Sequence, residues 1–301
     1  MTTETRRDGT DGYGLTDCAL YKVPTRKELA RILLTTRRHL NELSRRDDLY
    51  YRFSRKKEDG RLRWIDAPRD DLKKVQRRIA DLLGRVAAPP FLFGCVRGRS
   101  FLDNAMAHRG AKAFHLLDLA DYFPSCTANK VAWFFGTVMR CSPDVVAILV
   151  RITTLNGCLP QGSPASPILS YYAYMDMWSE IDAIARDAGL THSGYIDDIT
   201  LSGDLVRGRT VFAIKRCIAR HGHTVKEEKE GSTFLGVPIV TGIALSGNEL
   251  RLRNKQHAKI HRLRREVEVG ENDDDRLKKQ RSLEGLERHA RYVGDANAPA
   301  S

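Results

Sequence analysis

Apolar residues in the first third of the chain recur at helical spacing. A helix is predicted to begin at Thr25, whose side chain can cap it together with Glu28. Its apolar face would consist of Leu29, Ile32, Leu33, Leu40 and Leu43. A second helix is predicted after Pro68, with an apolar face of Leu72, Val75, Ile79, Leu82 and Leu83. Between them, residues 50–66 are typical of a strand pair that turns at Asp59-Gly60.

Farther along, short apolar runs alternate with helical patterns. The predicted strands lie at 114–119, near 224, at 233–240 and at 249–253. The predicted helices lie near 127–139, 142–155, 166–188, 208–221, 254–268 and 276–292. The segment THSGYIDDITLSG predicts a β-hairpin with Asp197 and Asp198 at its turn. This order of elements predicts an α+β fold in which helices cover an antiparallel sheet.

Composition and charge indicate a globular protein with a polyanionic partner. The chain has 301 residues, of which 42% are hydrophobic, so it can bury a sizeable core. Its net charge of +12 favours nucleic acid as a partner, although a merely soluble basic protein remains an alternative. The six cysteines include no C-x-x-C pair, which argues against a zinc site and a disulfide scaffold.

The distribution of apolar residues predicts neither a membrane span nor a signal peptide. No apolar run approaches the roughly 20 residues that cross a bilayer. The N-terminal segment MTTETRRDGTDGYG lacks the apolar core of a signal peptide. We therefore expect no membrane partner and a cytoplasmic location, with which the unpaired cysteines agree.

Three carboxylates are predicted to meet at the ends of neighbouring strands. Asp118 ends the apolar run FHLLDL, and Asp197 and Asp198 follow Tyr195 in the hairpin. Carboxylate oxygens are the ligands that Mg²⁺ prefers, and a pair of such ions about 3.5–4 Å apart assists in-line displacement at phosphorus. Asp121, three residues after Asp118, is assigned instead to capping or ion pairing.

A second motif is the proline-rich segment LPQGSPASP at residues 159–167. Its prolines and Gly162 predict a rigid loop, and Ser166 can cap the helix that follows. A simple helix entry is the alternative, but it does not require Gln161 and two further prolines.

Together, FHLLDLADYF, LPQGSPASP and YIDD, in this order, resemble the palm of a reverse transcriptase. The similarity covers roughly residues 25–265. It implies a right-hand polymerase of α+β class. Its parts would be a polar leader at 1–23, fingers at 24–112, a palm at 113–242 in which 127–158 contributes to the fingers, and a thumb with a C-terminal tail at 243–301.

The resemblance implies catalytic roles for four residues. Asp118 and Asp197 would bind both Mg²⁺ ions, and Asp198 would complete the acidic triad. Lys229 would donate a proton to the leaving pyrophosphate. An exposed salt bridge with the surrounding glutamates is the alternative for Lys229.

The resemblance also implies a binding site for the incoming dNTP. Phe123 would exclude a ribose 2′-OH, with plain core packing as its alternative. Gln161 would contact the nucleotide or its template base, and Gly162 would permit close backbone approach. The basic residues Arg63 and Lys57 would clamp the triphosphate, unless they only form a solvated basic hairpin. In addition, Tyr195 would lie beside the primer end.

Two further segments resemble bacterial retron reverse transcriptases. VRGRSFLDNAMAHRG contains an N-A-x-x-H element with Asn104 and His108, and Val240–Gly242 forms the V-T-G signature. Ile196 departs from the smaller residue expected there. The thumb would bind RNA through a basic stretch that includes Arg251, Arg253, Lys255, Lys259, Arg262 and Arg265.

The sequence thus predicts a retron-type RNA-directed DNA polymerase. The resemblance implies a cognate structured noncoding RNA as template and primer, and a branched, RNA-linked single-stranded DNA (msDNA) as product. It also implies an effector protein and a role in antiviral defence. The alternatives are an intron-derived or abortive-infection reverse transcriptase and a non-catalytic RNA-binding relic, against which the intact triad and Gln161 argue.

Overall fold

The computed structural model describes residues 12–56, 60–269 and 273–297. Its α-helices are Arg26–Ile32 (α1), Arg37–Leu43 (α2), Asp70–Leu83 (α3), Phe101–Met106 (α4), Tyr122–Ser125 (α5), Ala128–Trp133 (α6), Pro143–Thr153 (α7), Ser166–Ala173 (α8), Met175–Asp187 (α9), Gly208–Arg220 (α10), Asn254–Val269 (α11) and Asp273–Asp295 (α12). Its strands are Tyr50–Lys56 (β1), Leu62–Pro68 (β2), Ala113–Asp118 (β3), Thr191–Tyr195 (β4), Asp198–Gly203 (β5), Gly231–Phe234 (β6), Ile239–Val240 (β7), Ile243–Ser246 (β8) and Glu249–Leu252 (β9).

The strands form three antiparallel sheets. The largest has the order β4-β5-β3-β6, so the hairpin β4–β5 lies directly beside β3. The β1–β2 hairpin and the β7-β8-β9 sheet are separate. Helix α9 packs against β4 and against α10. The α+β prediction is therefore confirmed.

Two predicted helices are each divided in two. The helix predicted from Thr25 through Leu43 ends at Ile32, because Leu34 adopts a left-handed φ of 56°. A new helix then begins after Thr36, whose side chain caps it. Likewise, α8 and α9 meet at Tyr174, whose φ of −124° interrupts the helix. Apolar spacing continues across both breaks because each pair of helices faces the same core.

Buried apolar side chains form two clusters. The larger contains α1 to α3, α6 to α10 and the central sheet. Cys18, Leu20 and Val23 are buried in it, so this part of the predicted leader belongs to the folded body. The smaller cluster joins the β7-β8-β9 sheet, α11 and α12 to Leu102 and Ala105 of α4. Helix α4, predicted to belong with the fingers, thus packs against the C-terminal elements.

Among the described residues, none of the helices combines the length and apolarity that a membrane crossing requires.

Candidate active site

The strand register places acidic residues of two strands opposite one another. β3 ends at Asp118, which pairs with Asp198 at the start of β5. The backbone N–H of Leu119 donates to the carbonyl of Asp197 at 2.9 Å, which ties the end of β3 to the hairpin turn. Asp118 is buried, and Asp197 and Asp198 are partly exposed. The predicted meeting of the two strand ends is therefore observed.

The hairpin turn is held by a loop that sequence reasoning missed. Ile196 has a φ of 61°, a strained conformation for a β-branched residue. Gly194 exchanges backbone hydrogen bonds with Phe91 (2.8 Å) and Phe93 (2.9 Å). A Cβ on Gly94 would lie 2.5 Å from the backbone nitrogen of Ile196, so only glycine fits there. The apolar run FLFG was the available signal for this support.

Two lysines contact the carboxylate of Asp118. Lys226 Nζ and Lys229 Nζ each donate to one of its oxygens, and the backbone N–H of Lys226 donates to the Asp118 carbonyl at 2.8 Å. Lys226 precedes the 3₁₀ turn Glu227–Lys229, and Lys229 is its last residue. Lys229 therefore lies beside the acids, while its role as a proton donor stays a prediction. Lys226 was missed because its contact with Asp118 joins residues 108 positions apart.

The surroundings of Asp197 and Asp198 disfavour the charged forms of both side chains. Burial, followed by the charge of Asp118, raises the pKa of Asp197. Burial and the charges of Asp197 and Asp118 raise the pKa of Asp198 to about 7. Three oxygen donors that repel one another are chemically suited to a divalent cation. The carboxylate oxygens of the three acids are not all within 4.8 Å of one another, because the Asp118 carboxylate points toward Lys226 and Lys229.

The LPQG loop packs against the β1–β2 hairpin. The backbone N–H of Asp66 donates to the Gln161 carbonyl at 2.8 Å. With its amide oxygen facing the guanidinium, Gln161 accepts from Arg63 Nε at 2.7 Å and donates to the Trp64 carbonyl at 3.1 Å. A Cβ on Gly162, whose φ is 136°, would lie 2.7 Å from the Asp66 carbonyl oxygen. The close approach predicted for Gly162 is therefore to the hairpin backbone.

A cavity of about 310 Å³ lies between these two segments. Arg63 and Gln161 line it together with Asp121 and Pro124 of the segment that carries Phe123. Phe123 is half-buried and lies with its ring centroid 5.8 Å from that of Tyr122. Its role as a gate stays a prediction. Lys57, the second predicted clamp residue, lies outside the described residues.

The N-A-x-x-H element is buried. Asn104 and His108 are each 1% exposed. His108 Nδ1 and Nε2 lie 2.7 Å from the hydroxyls of Ser202 and Ser193, on β5 and β4. Burial and a smaller repulsion from His192 lower the pKa of His108 to about 4. The sequence left open whether this element acts in RNA recognition or only in folding, and the burial of both side chains favours a part in folding.

The two retron-like signatures touch each other. Asn104 Nδ2 donates to Thr241 Oγ1 at 3.3 Å, and that hydroxyl donates to the Phe101 carbonyl at 2.8 Å. Thr241 and Gly242 have φ values of 45° and 88°. The V-T-G turn is thus anchored on helix α4.

A second cavity, of about 640 Å³, connects the acids with the C-terminal elements. Asp118, Asp198 and Tyr195 line one part of it. Thr241, Gly242 and Arg253 line another. The V-T-G turn and Arg253 of the predicted thumb are therefore neighbours of the acidic site.

The predicted RNA-binding residues of the C-terminal segment face solvent around α11. Buried Ile260 and Leu263 anchor this helix to the smaller apolar cluster. Arg251 pairs with Glu249, and Arg262 with Glu266. The other exposed members of the set are Lys255, Lys259 and Arg265.

Comparisons with known proteins agree with this geometry. The family model described as reverse transcriptase (RNA-dependent DNA polymerase) matches residues 55–239. The retron Ec86 reverse transcriptase of Escherichia coli is 30% identical over 71% of this chain and 69% of its own length. The retron Se72 reverse transcriptase of Salmonella heidelberg is 31% identical over 47% of this chain and 38% of its own length. The retron Mx65 reverse transcriptase of Myxococcus xanthus is 30% identical over 73% of this chain and 57% of its own length.

A solved foamy viral protease-reverse transcriptase in complex with double-stranded DNA aligns with a TM-score of 0.47 and 19% identity, over 80% of this chain and 36% of that one.

The chain belongs to the reverse transcriptase family and is an RNA-directed DNA polymerase. Within that family it is of the retron type. Enzymes of this family use divalent metal ions, for which the carboxylates of Asp118, Asp197 and Asp198 provide a suitable donor set.

Proposed function

We propose that the chain extends a primer with dNTPs on a cognate structured RNA, at a site formed by Asp118, Asp197 and Asp198 with two Mg²⁺ ions. The observation that carries this proposal is the register that pairs Asp118 with Asp198 beside the strained turn at Ile196. When bound, the two ions would activate the primer hydroxyl and offset the charge of the leaving pyrophosphate.

Beside this centre, the side chains of Lys226 and Lys229 supply positive charge. Lys229 is half exposed and pairs with Asp118, so it can turn toward a bound triphosphate. It would donate a proton to the pyrophosphate as the bond to the α-phosphate breaks. Lys226 is more buried and would keep Asp118 oriented.

The dNTP would bind where the β1–β2 hairpin meets the LPQG loop. Arg63 faces the 310 Å³ cavity and donates to Gln161, so it can exchange that partner for phosphate oxygens. Lys57 would assist it. Gln161 would then contact the nucleotide or its template base, and Phe123 would exclude the ribose 2′-OH.

The primer end would occupy the 640 Å³ cavity beside Tyr195. Arg253 lines the same cavity, and the exposed basic residues of β9 and α11 would follow the RNA backbone. Asn104 and His108 would act indirectly, by holding the V-T-G turn and the hairpin in place.

Membership of the retron type supports the finer part of the proposal. The RNA would serve as both template and primer, with synthesis starting at an internal guanosine 2′-OH and giving branched msDNA. An effector protein and a role in antiviral defence are proposed on the same basis.

The nucleic acid that co-purifies with the chain tests this proposal. Sequencing before and after debranching should reveal one RNA joined by a 2′–5′ bond to a DNA of defined length. Linear cDNA of mixed lengths would indicate another kind of bacterial reverse transcriptase. If the chain co-purifies from growing cells with RNA to which no DNA is joined, synthesis on a cognate RNA would be contradicted.

A further inference from the structure

A second group of possible metal ligands lies on the helices that cover the central sheet. Glu180 of α9, Cys217 of α10 and His221, which caps α10, each offer one ligand atom, and these atoms all lie within 4.8 Å of one another. No other group of three His, Cys, Asp or Glu residues meets this criterion in the described part of the chain. The group shares no residue with the polymerase site.

The ligand spacing follows from helix geometry. Cys217 and His221 are four residues apart, so they share one face of α10 and its end. Asp176 and Glu180 have the same spacing on α9, the helix that packs against α10. Helix α10 and its cap thus bring two ligands to the seam and α9 brings one ligand and a neighbouring carboxylate, an arrangement that no local C-x-x-C motif would reveal.

The orientation of the side chains suits a metal ion. His221 Nδ1 faces Asp176 Oδ2 at 3.7 Å, while Nε2 faces Glu180 Oε2 at 3.7 Å. A carboxylate behind the histidine is the usual outer partner of a metal-binding imidazole, and Asp176, whose Oδ2 also accepts from Lys130 Nζ at 2.7 Å, would have to move closer to His221 to fill that role. Glu180 Oε1 accepts from Arg220, the Glu180 carboxylate also accepts from the Cys217 thiol, and Oε2 faces His221. Cys217 is fully buried and is not in a disulfide.

The donor set selects the class of metal. One thiolate, one imidazole and one carboxylate match a zinc ion better than Mg²⁺, which prefers oxygen ligands only. In a tetrahedral zinc site with the usual bond lengths, ligand atoms lie about 3.3–3.8 Å apart. A nitrogen–oxygen pair belongs at the short end of this range, so the Nε2–Oε2 distance of 3.7 Å has to close by about 0.4 Å, and atoms within 4.8 Å need to move by about 1 Å.

We propose that Glu180, Cys217 and His221 bind a zinc ion that ties α9 to α10, with a water molecule as the fourth ligand and Asp176 orienting His221. Because α9 packs against β4, the strand that leads to Tyr195, the ion would stabilise the sheet that carries the acids.

Cobalt and zinc binding to the full chain test the proposal. The protein carries Asp197→Asn and Asp198→Asn, so that the polymerase acids contribute little, and is freed of metal with a chelator. One equivalent of Co²⁺ should give a thiolate-to-cobalt charge-transfer band that one equivalent of Zn²⁺ removes. Cys217→Ser should abolish the band, and His221→Gln should weaken zinc binding at least tenfold. The control Cys141→Ser, at a buried thiol that donates to the Leu20 carbonyl, should change neither.

Zinc should also raise the melting temperature of the chain that carries only Asp197→Asn and Asp198→Asn. It should not raise that of the same chain with Cys217→Ser added. Circular dichroism of the unliganded variants would verify that they are folded. Absence of the band at stoichiometric Co²⁺, or its persistence in Cys217→Ser, would overturn the proposal.

Discussion

The side chain of Asn104 donates a hydrogen bond to the hydroxyl of Thr241 at 3.3 Å, across 137 positions of sequence. This contact joins helix α4 to the turn that lines the cavity beside the acids. It gives the two retron-like signatures a common structural role, because one holds the other in a conformation with left-handed backbone angles.

A double-mutant cycle should detect this coupling. Asn104→Ala and Thr241→Ala should each lower the free energy of unfolding, and their combined effect should fall short of the sum by about 1 kcal/mol. Thr154→Ala is the matched control, since its hydroxyl donates to the Val150 carbonyl in the other core cluster. Its effect should add to that of Asn104→Ala. Denaturant unfolding measures all five variants, and simple additivity in the first cycle would contradict the coupling.

The contact of Gly162 with the β1–β2 hairpin predicts an effect of a single methyl group. Gly162→Ala should destabilise the chain by about 1–3 kcal/mol and raise the KM for dNTPs, because the methyl would meet the Asp66 carbonyl. Gly157→Ala is the control, since Gly157 also has a positive φ but has open space around it. Equal effects of the two substitutions on KM would show that the contact does not position the nucleotide site.

Substitution of Phe123 distinguishes between two roles of its ring, exclusion of the ribose 2′-OH and packing in the core. Phe123→Val should raise the use of rNTPs relative to dNTPs at least about tenfold, since a clash costing about 1.4 kcal/mol or more would disappear. Phe123→Tyr keeps the ring and should keep the selectivity. Single-nucleotide incorporation with each substrate provides the measurement. If Phe123→Val slows both substrates equally, packing against Tyr122 is its role instead.

The buried His108 predicts a pH dependence of stability. Its pKa is about 4 in the folded chain, against about 6.5 when unfolded, so the unfolded state binds more protons between these values. The fold buries the neutral imidazole, so the stability that depends on it is fully present above pH 6.5. As the pH falls from 6.5 to 4, the free energy of unfolding decreases by up to about 3 kcal/mol. His108→Gln should show a shallower decline over this range in thermal unfolding. Parallel curves for the two proteins would contradict this assignment.

Local patterns in the sequence predicted the elements that have a regular period. Helix α3, the β1–β2 hairpin and the YIDD hairpin were all predicted, because each carries its apolar spacing and turn residues within a few positions. The prolines and Gly162 predicted LPQG as a rigid loop, the resemblance implied its contact with a nucleotide, and the structure adds its contact with Arg63.

Features that depend on distant residues were not predictable in this way. The contacts of helix α4, which the resemblance placed with the fingers, are an example: its apolar side chains Leu102 and Ala105 pack in the C-terminal core. The support of the turn by Gly94 and the pairing of Lys226 with Asp118 likewise arise only on folding. The seam of Cys217 and Glu180 joins two helices that nothing local connects.

The most direct test of the polymerase site is dNTP incorporation on a primed RNA template by the Asp197→Asn and Asp198→Asn variants. Each removes one charged oxygen donor, so the loss of about 3 kcal/mol of transition-state stabilisation should slow incorporation at least about 100-fold. RNA binding, measured in the same preparations, should remain close to that of the parent chain. Undiminished incorporation by both variants would contradict the assignment of these acids as the catalytic centre.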